Sequence, residues 1–171
     1  MNLTQLPSGP EPPHLVYAVV EIPRGDRNKY EYDARLGLFR LDRVLYSAVH
    51  YPADYGFIPR TRAADGDPVD ILVMTSEPTF TGCLIEVRPV GLLRMRDEKG
   101  EDEKILAVPA VDPYYYDTRE LVDVPQHFLR EVEHFFRVYK DLEHKTVETF
   151  GWQGRTAALQ VIRASITAAA P

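Results

Sequence analysis

The first strongly apolar stretch, "LVYAVVEIP" (15–23), is rich in β-branched residues and predicts a buried strand that ends at Pro23. "RGDRN" predicts a turn. In "KYEYD" (29–33), Lys29 and Glu31 then fall on one strand face, and Tyr30 and Tyr32 on the other. "LGLFRLDRVL" predicts another short strand around a Gly turn, whereas "YPADYGFIPRT" (51–61) is too broken by Pro and Gly for a helix. "VDILVMT", "CLIEVRPVGLLRMR" and "EDEKILAVPAV" all carry strand patterns. Strands and turns that alternate at this spacing, with no helix between them, predict a small antiparallel barrel.

Helices come late. From Pro125 onward, Phe128, Leu129, Val132, Phe135, Phe136, Tyr139 and Leu142 recur at three- and four-residue spacing, which predicts an amphipathic helix. "GRTAALQVIRASITAA" predicts a second, shorter one. The expected fold class is mainly β with α (α+β), a barrel followed by two C-terminal flanking helices. Residues 1–14 read as an extended Pro-rich arm ahead of a single domain over 15–171. The arm has neither the basic start nor the apolar stretch of a signal peptide.

A chain of 171 residues, 44% apolar and 27% charged, suffices for one domain with a real core. No apolar run approaches the ~18 residues of a membrane span, so no membrane partner is expected. Cys83 stands alone, which excludes an intrachain disulfide and a thiolate metal site and suits a reducing cytoplasm. A net charge of −6 argues against a nucleic-acid surface. It leaves room for a small anionic substrate if metal ions change the local sign.

"DGDPVD" (65–70) concentrates the chemistry. Carboxylates supply the hard oxygens that Mg²⁺ and Ca²⁺ require. Strict alternation would separate Asp70 from Asp65 and Asp67, so convergence needs a bend at Gly66 and Pro68. The spacing alone leaves a solvated turn and a cation site equally open. An EF-hand does not fit: counted from Asp65, the sixth residue is Asp70 and the twelfth is Ser76. Asp70 nevertheless opens an apolar strand, where a carboxylate needs a partner.

A second acidic turn, "RDEKGEDEK", has Asp97 and Asp102 on either side of a Gly, with Lys104 on the face of Asp102. By itself it reads as a charged hairpin; paired with the first turn, it suggests a shared metal site. The histidines (14, 50, 127, 134, 144) lack zinc spacing. His127 and His134 share a helix face suited to a surface or a subunit contact, and His50 reads as packing beside Tyr51. Lys29, Arg43, Lys104 and Lys140 each read singly as surface cations with buried stems. The Tyr114–Tyr116 run reads as a packed loop.

"DGDPVDILV" resembles the signature of the family I soluble inorganic pyrophosphatases. "VEIPRGDRNKYEYD", "LDRVLYSAVHYPADYGFIPRT", "RPVGLLRMRDEKGEDEKILAVP" and "HFFRVYKDLE" resemble further segments of that family, in the same order over about residues 15–165. The resemblance implies an OB-like five-stranded barrel and Mg²⁺-dependent hydrolysis of pyrophosphate to two phosphates, with several ions per site and other divalent cations such as Mn²⁺ also accepted. It implies metal binding by Asp65, Asp70, Asp97 and Asp102, with Glu21 and Glu31 nearby. Asp67 is implied as general base on a metal-activated water, with Tyr55, Lys29 and Arg43 in the same catalytic set. Lys29, Arg43, Tyr55, Lys104, Tyr139 and Lys140 are implied as phosphate-binding residues, with Tyr51 lining the same cavity. A homo-oligomer, a hexamer, is implied too, although Val138 stands where some bacterial relatives carry His. Two other readings remain: hydrolysis of another phosphoanhydride such as tripolyphosphate or a nucleotide, and a non-catalytic barrel that binds cations or oligonucleotides.

Overall fold

The β-branched runs form strands that close on themselves. The computed structural model describes residues 2–169, with side chains through residue 166. Its strands are β1 (Val16–Ile22), β2 (Asn28–Asp33), β3 (Leu38–Val44), β4 (Asp54–Phe57), β5 (Asp70–Val73), β6 (Leu84–Asp97), β7 (Gly100–Glu101), β8 (Lys104–Pro109) and β9 (Glu148–Gly154). The helices are α1 (Gln126–Val138) and α2 (Arg155–Ala169). A ring runs β1–β4–β5–β8–β6 and returns to β1, giving the expected OB-like five-stranded barrel. β7 and β9 extend the far half of the long β6, and β2 and β3 form a separate hairpin.

The barrel is not wholly antiparallel. β5 and β8 pair in parallel, with Asp70 beside Lys104 and Val73 beside Ala107. Alternation of apolar residues carries no information on strand direction. A parallel neighbour needs a crossover, and here the long strand β6 provides it. The consequence is functional: the chain enters β5 and β8 at the same end of the barrel, so the acidic turns that precede them meet there.

Strands β5 and β8 are covered on both faces, which explains their nearly unbroken apolar sequence. Leu72, Leu106 and Val108 join a cluster under α1 with Leu129, Val132, Phe135 and Phe136. Ile71, Val73, Ile105 and Ala107 join a second cluster with Ala158 and Ile162 of α2. Gly56 allows β1 and β4 to touch, since a Cβ there would lie 1.9 Å from the Val19 carbonyl oxygen.

Several expectations change. Residues 2–14 are not extended: Leu3–Gln5 form a 3-10 turn, and the segment folds back on the barrel. The Leu3 N–H donates to the Tyr32 hydroxyl (3.0 Å), and the Arg60 N–H to the Thr4 carbonyl (2.9 Å). Helix α1 stops before Leu142, which is exposed, because the chain leaves the helical path in a 3-10 turn over Asp141–Glu143. β9 carries only a short alternation, Phe150 and Trp152 on either side of Gly151, and forms by pairing along β6. His50 is exposed rather than packed, and of the tyrosine run only Tyr115 reaches the core.

Candidate active site

The turn before β5 bends where the sequence requires it. Gly66 adopts φ +94°, which glycine tolerates, and the Asp65 carboxylate accepts the Asp67 N–H (3.0 Å). In the second acidic turn, Asp97 accepts the Lys99 N–H (2.8 Å), and Asp102 N–H donates to the Met95 carbonyl (2.9 Å). Because β5 and β8 are parallel, Lys104 lies between the two turns. Its Nζ donates to Asp70 Oδ2 (2.5 Å), Asp102 Oδ1 (2.6 Å) and the Tyr55 hydroxyl (3.1 Å).

Lys104 and Lys140, read singly as surface cations, are in fact buried, at 3% and 7% exposure. The physical reason is pairing: burial opposes the Lys104 charge, but Asp70 and Asp102 outweigh it and push its pKa up. Lys140 is likewise held charged against burial, donating to Asp97 (2.9 Å) and Glu98 (3.4 Å). On the hairpin, Lys29 and Arg43 face each other across β2 and β3. Lys29 pairs with Glu31 and lies 3.5 Å from Asp42. Glu21, at the end of β1, accepts the Tyr32 N–H (2.8 Å) and so ties the hairpin to the barrel.

Glu21, Lys29, Glu31, Arg43, Tyr55, Asp65, Asp67, Asp70, Asp97, Asp102, Lys104, Tyr139 and Lys140 all line one cavity of about 660 Å³. Tyr51 does not line it. It is fully buried between Tyr55 (ring centroids 5.3 Å) and Phe135 (4.8 Å), so it supports Tyr55 from behind.

The carboxylates are unequal. Burial, helped by the Asp70 charge, pushes Glu21 up to about 8. Asp67 is exposed as a residue, yet desolvation at its carboxyl and then the Asp65 and Asp70 charges raise its pKa. Burial raises Asp102 against the pull of Lys104. Burial also opposes ionisation of Asp97, but bonds from Lys140 and the Lys99 N–H outweigh it and lower its pKa. Desolvation keeps Tyr55 and Tyr139 neutral.

The chain matches the inorganic pyrophosphatase family over residues 18–170. It belongs to that family. An inorganic pyrophosphatase of Methanosarcina acetivorans is 54% identical over 145 residues, covering 85% of this chain and 86% of the relative. One from Geobacillus stearothermophilus is 51% identical, covering 86% and 90%. The crystal structure of the Thermus thermophilus inorganic pyrophosphatase superposes with a TM-score of 0.97 at 48% identity, over 99% of both chains. The pyrophosphatase fold is therefore common to this chain and a solved relative along its whole length.

Can this cavity hold a metal? Carboxylates dominate its oxygen donors, with no His or Cys among the described lining residues, which is the hard-oxygen chemistry of a divalent cation. Among the described residues, no three such ligands converge into a ready-made cage. The carboxylates instead alternate with ammonium groups, and Asp70 and Asp102 already share one positive charge at Lys104. The residues fit a hard divalent ion in chemistry, with the Asp70–Asp102 pair arranged around positive charge.

Sequence reasoning missed Asp42, Glu98, Glu143 and Lys145. Asp42 and Glu143 hold Arg43, while Glu98 joins Lys140 and Lys145. The Arg43–Glu143 contact spans 100 positions, so no local pattern encodes it. Only the proximity of Glu143 to the Tyr139–Lys140 pair in sequence pointed to it.

Proposed function

We propose that the chain hydrolyses inorganic pyrophosphate to two phosphates, with Asp67 as the proton acceptor and divalent metal, Mg²⁺ or a substitute such as Mn²⁺, as cofactor. The observation that carries this reading is the alternation of carboxylates and buried cations along one cavity, Asp70–Lys104–Asp102 beside Lys140–Asp97. Carboxylates alone would repel the tetraanion, and cations alone would not take a proton from water.

Asp65, Asp70, Asp97 and Asp102 would hold the metal, with Glu21 and Glu31 beside them. Bound there, the metal supplies a water of lowered pKa and screening of the substrate's charge. Asp67 would accept the proton of the attacking water, a task suited to a carboxyl whose pKa is raised by desolvation and by the Asp65 and Asp70 charges. Arg43, Lys104 and Lys140, all with raised pKa, stay charged across the working range. Lys29, Arg43 and Lys140 receive the phosphate oxygens, while Lys104, whose three N–H groups go to Asp70, Asp102 and Tyr55, contributes its charge. The Tyr55 hydroxyl accepts from Lys104, which leaves its own proton free to donate to a phosphate oxygen. Neutral Tyr139 supplies a second hydroxyl beside Lys140.

A direct test is phosphate release from pyrophosphate, ATP and tripolyphosphate, each with and without EDTA. Release from pyrophosphate alone, abolished by EDTA, is expected; comparable release from ATP, or activity that survives EDTA, contradicts the reading. The hexamer implied by the resemblance is proposed for this chain as well, in a cytoplasmic setting suited to the lone Cys83. Light scattering checks it: a monomeric mass would reject the hexamer. No helix among the described residues is long and apolar enough to cross a membrane.

A further inference from the structure

Arg43 lies on the hairpin, the part of the molecule with the fewest apolar anchors, yet its guanidinium is fixed from two directions. Nε donates to Asp42 Oδ2 (2.8 Å), and Nη1 donates to Glu143 Oε1. The Glu143 side chain is only 8% exposed, and its second oxygen is buried with no hydrogen-bond partner among the described residues. A buried carboxylate with one oxygen unsatisfied costs stability. Its place is therefore poorly explained by folding alone.

The segment that carries Glu143 is held in an unusual shape. After the 3-10 turn over Asp141–Glu143, His144 adopts φ 56° and ψ 34°, the left-handed region that side chains disfavour. That reversal lets Glu143 point to Arg43 while Lys145 lies 3.5 Å from Glu98 and 4.0 Å from Glu143. Glu98 in turn touches Lys140 (3.4 Å). One short segment at the end of α1 thus presents Tyr139 and Lys140 to the cavity and reaches across to the hairpin.

We propose that Glu143 is a positioning residue for Arg43. With Asp42 it grips the guanidinium on Nε and Nη1 and leaves Nη2, which has no protein partner among the described residues, for a phosphate oxygen of the substrate. A guanidinium recognises phosphate through a rigid planar fork, so fixing its plane matters more than for an ammonium. The proposal rests on the phosphate-binding reading of the cavity given above.

The test is a double-mutant cycle. Binding of imidodiphosphate, a hydrolysis-resistant mimic of pyrophosphate, is measured by calorimetry in Mg²⁺ for wild type, Glu143→Gln, Arg43→Gln and the double variant. KM and kcat for pyrophosphate are recorded beside it, and thermal melts report folding. Glu143→Gln should weaken binding on the order of tenfold, as expected for coupled neighbours, and raise KM more than it lowers kcat. In the Arg43→Gln background the same change should add almost nothing. Glu143→Asp, which keeps the charge one methylene short, should recover part of the loss and serves equally if the Gln variant melts early. An equal loss in both backgrounds, or unchanged binding in Glu143→Gln, overturns the proposal. If wild type binds the mimic with this non-additivity yet releases no phosphate from pyrophosphate, the hydrolase reading fails and the role of Glu143 stands.

Discussion

The two walls of the cavity are built differently. The barrel wall begins at β5 and β8, whose apolar residues are fully buried and whose Lys104 is bonded to Asp70, Asp102 and Tyr55. The hairpin wall, β2 and β3, has no buried residue at all. It is held by Tyr30 and Tyr32, which pack against the core and Phe57, and by polar bonds: Glu21 to the Tyr32 N–H, the Leu3 N–H to the Tyr32 hydroxyl, and Glu143 to Arg43. Charges on the barrel wall sit in a low dielectric, where pairing is strong and an unpaired charge is costly. Those on the hairpin wall are only partly screened, with the Lys29 and Arg43 side chains 19% and 28% exposed, so their loss should weaken substrate binding more than stability.

That contrast can be broken in order of effect. Asp67→Asn should cut phosphate release at saturating Mg²⁺ by about 10²- to 10⁴-fold, the usual worth of a general base, with a melting temperature that does not fall. Near wild-type turnover would remove Asp67 from that role. On the barrel wall, Lys104→Met strands Asp70 and Asp102 and should cost about 3 kcal/mol in urea denaturation. A loss under about 1 kcal/mol would show that this wall is as well screened as the hairpin.

Asp70→Asn should raise the Mg²⁺ needed for half-maximal activity by at least about tenfold, the low end of what even outer partners of a metal contribute. An unchanged titration would take Asp70 out of the metal site. Glu21 supplies a pH effect. Its folded pKa of about 8 lies above the ordinary 4.5, so its neutral form favours the fold below 4.5 and that contribution fades as pH rises through 8. In EDTA, Glu21→Gln should therefore raise the melting temperature at pH 8 and leave it unchanged at pH 4, and an equal effect at both would count against burial as the cause. The smallest change belongs to the hairpin. Lys29→Met should alter stability by less than about 1 kcal/mol while raising KM for pyrophosphate.

The two walls were also unequally legible. The barrel strands announced themselves through β-branched runs, and α1 through the spacing of Leu129, Val132, Phe135 and Phe136, because burial imposes a period on sequence. The acidic turns were visible as well, since Gly66 and Pro68 bend the chain wherever they occur. The parallel pairing of β5 with β8 was not, because a side chain's face is the same whichever way its strand runs. β9 was hidden for a related reason: Glu148–Gly154 has only the short Phe150–Trp152 alternation, beside Gly151 and Gly154, and forms by completing the edge of β6. The burial of Lys104 and Lys140 could not be read either, for a cation becomes buried through its partners, and Asp70 lies 34 positions from Lys104.

The most direct measurement is a Mg²⁺ titration of the metal-stripped protein at pH 8, reading phosphate release from pyrophosphate and melting temperature together. Raised pKa values at Glu21, Asp67 and Asp102 mean that the carboxylates are strained when ionised without a cation. The expected result is no release without metal, and release and melting temperature that rise together as Mg²⁺ is added. Full release in the stripped protein, or Mg²⁺-activated release with no gain in melting temperature, would contradict a cavity built around carboxylates that await positive charge.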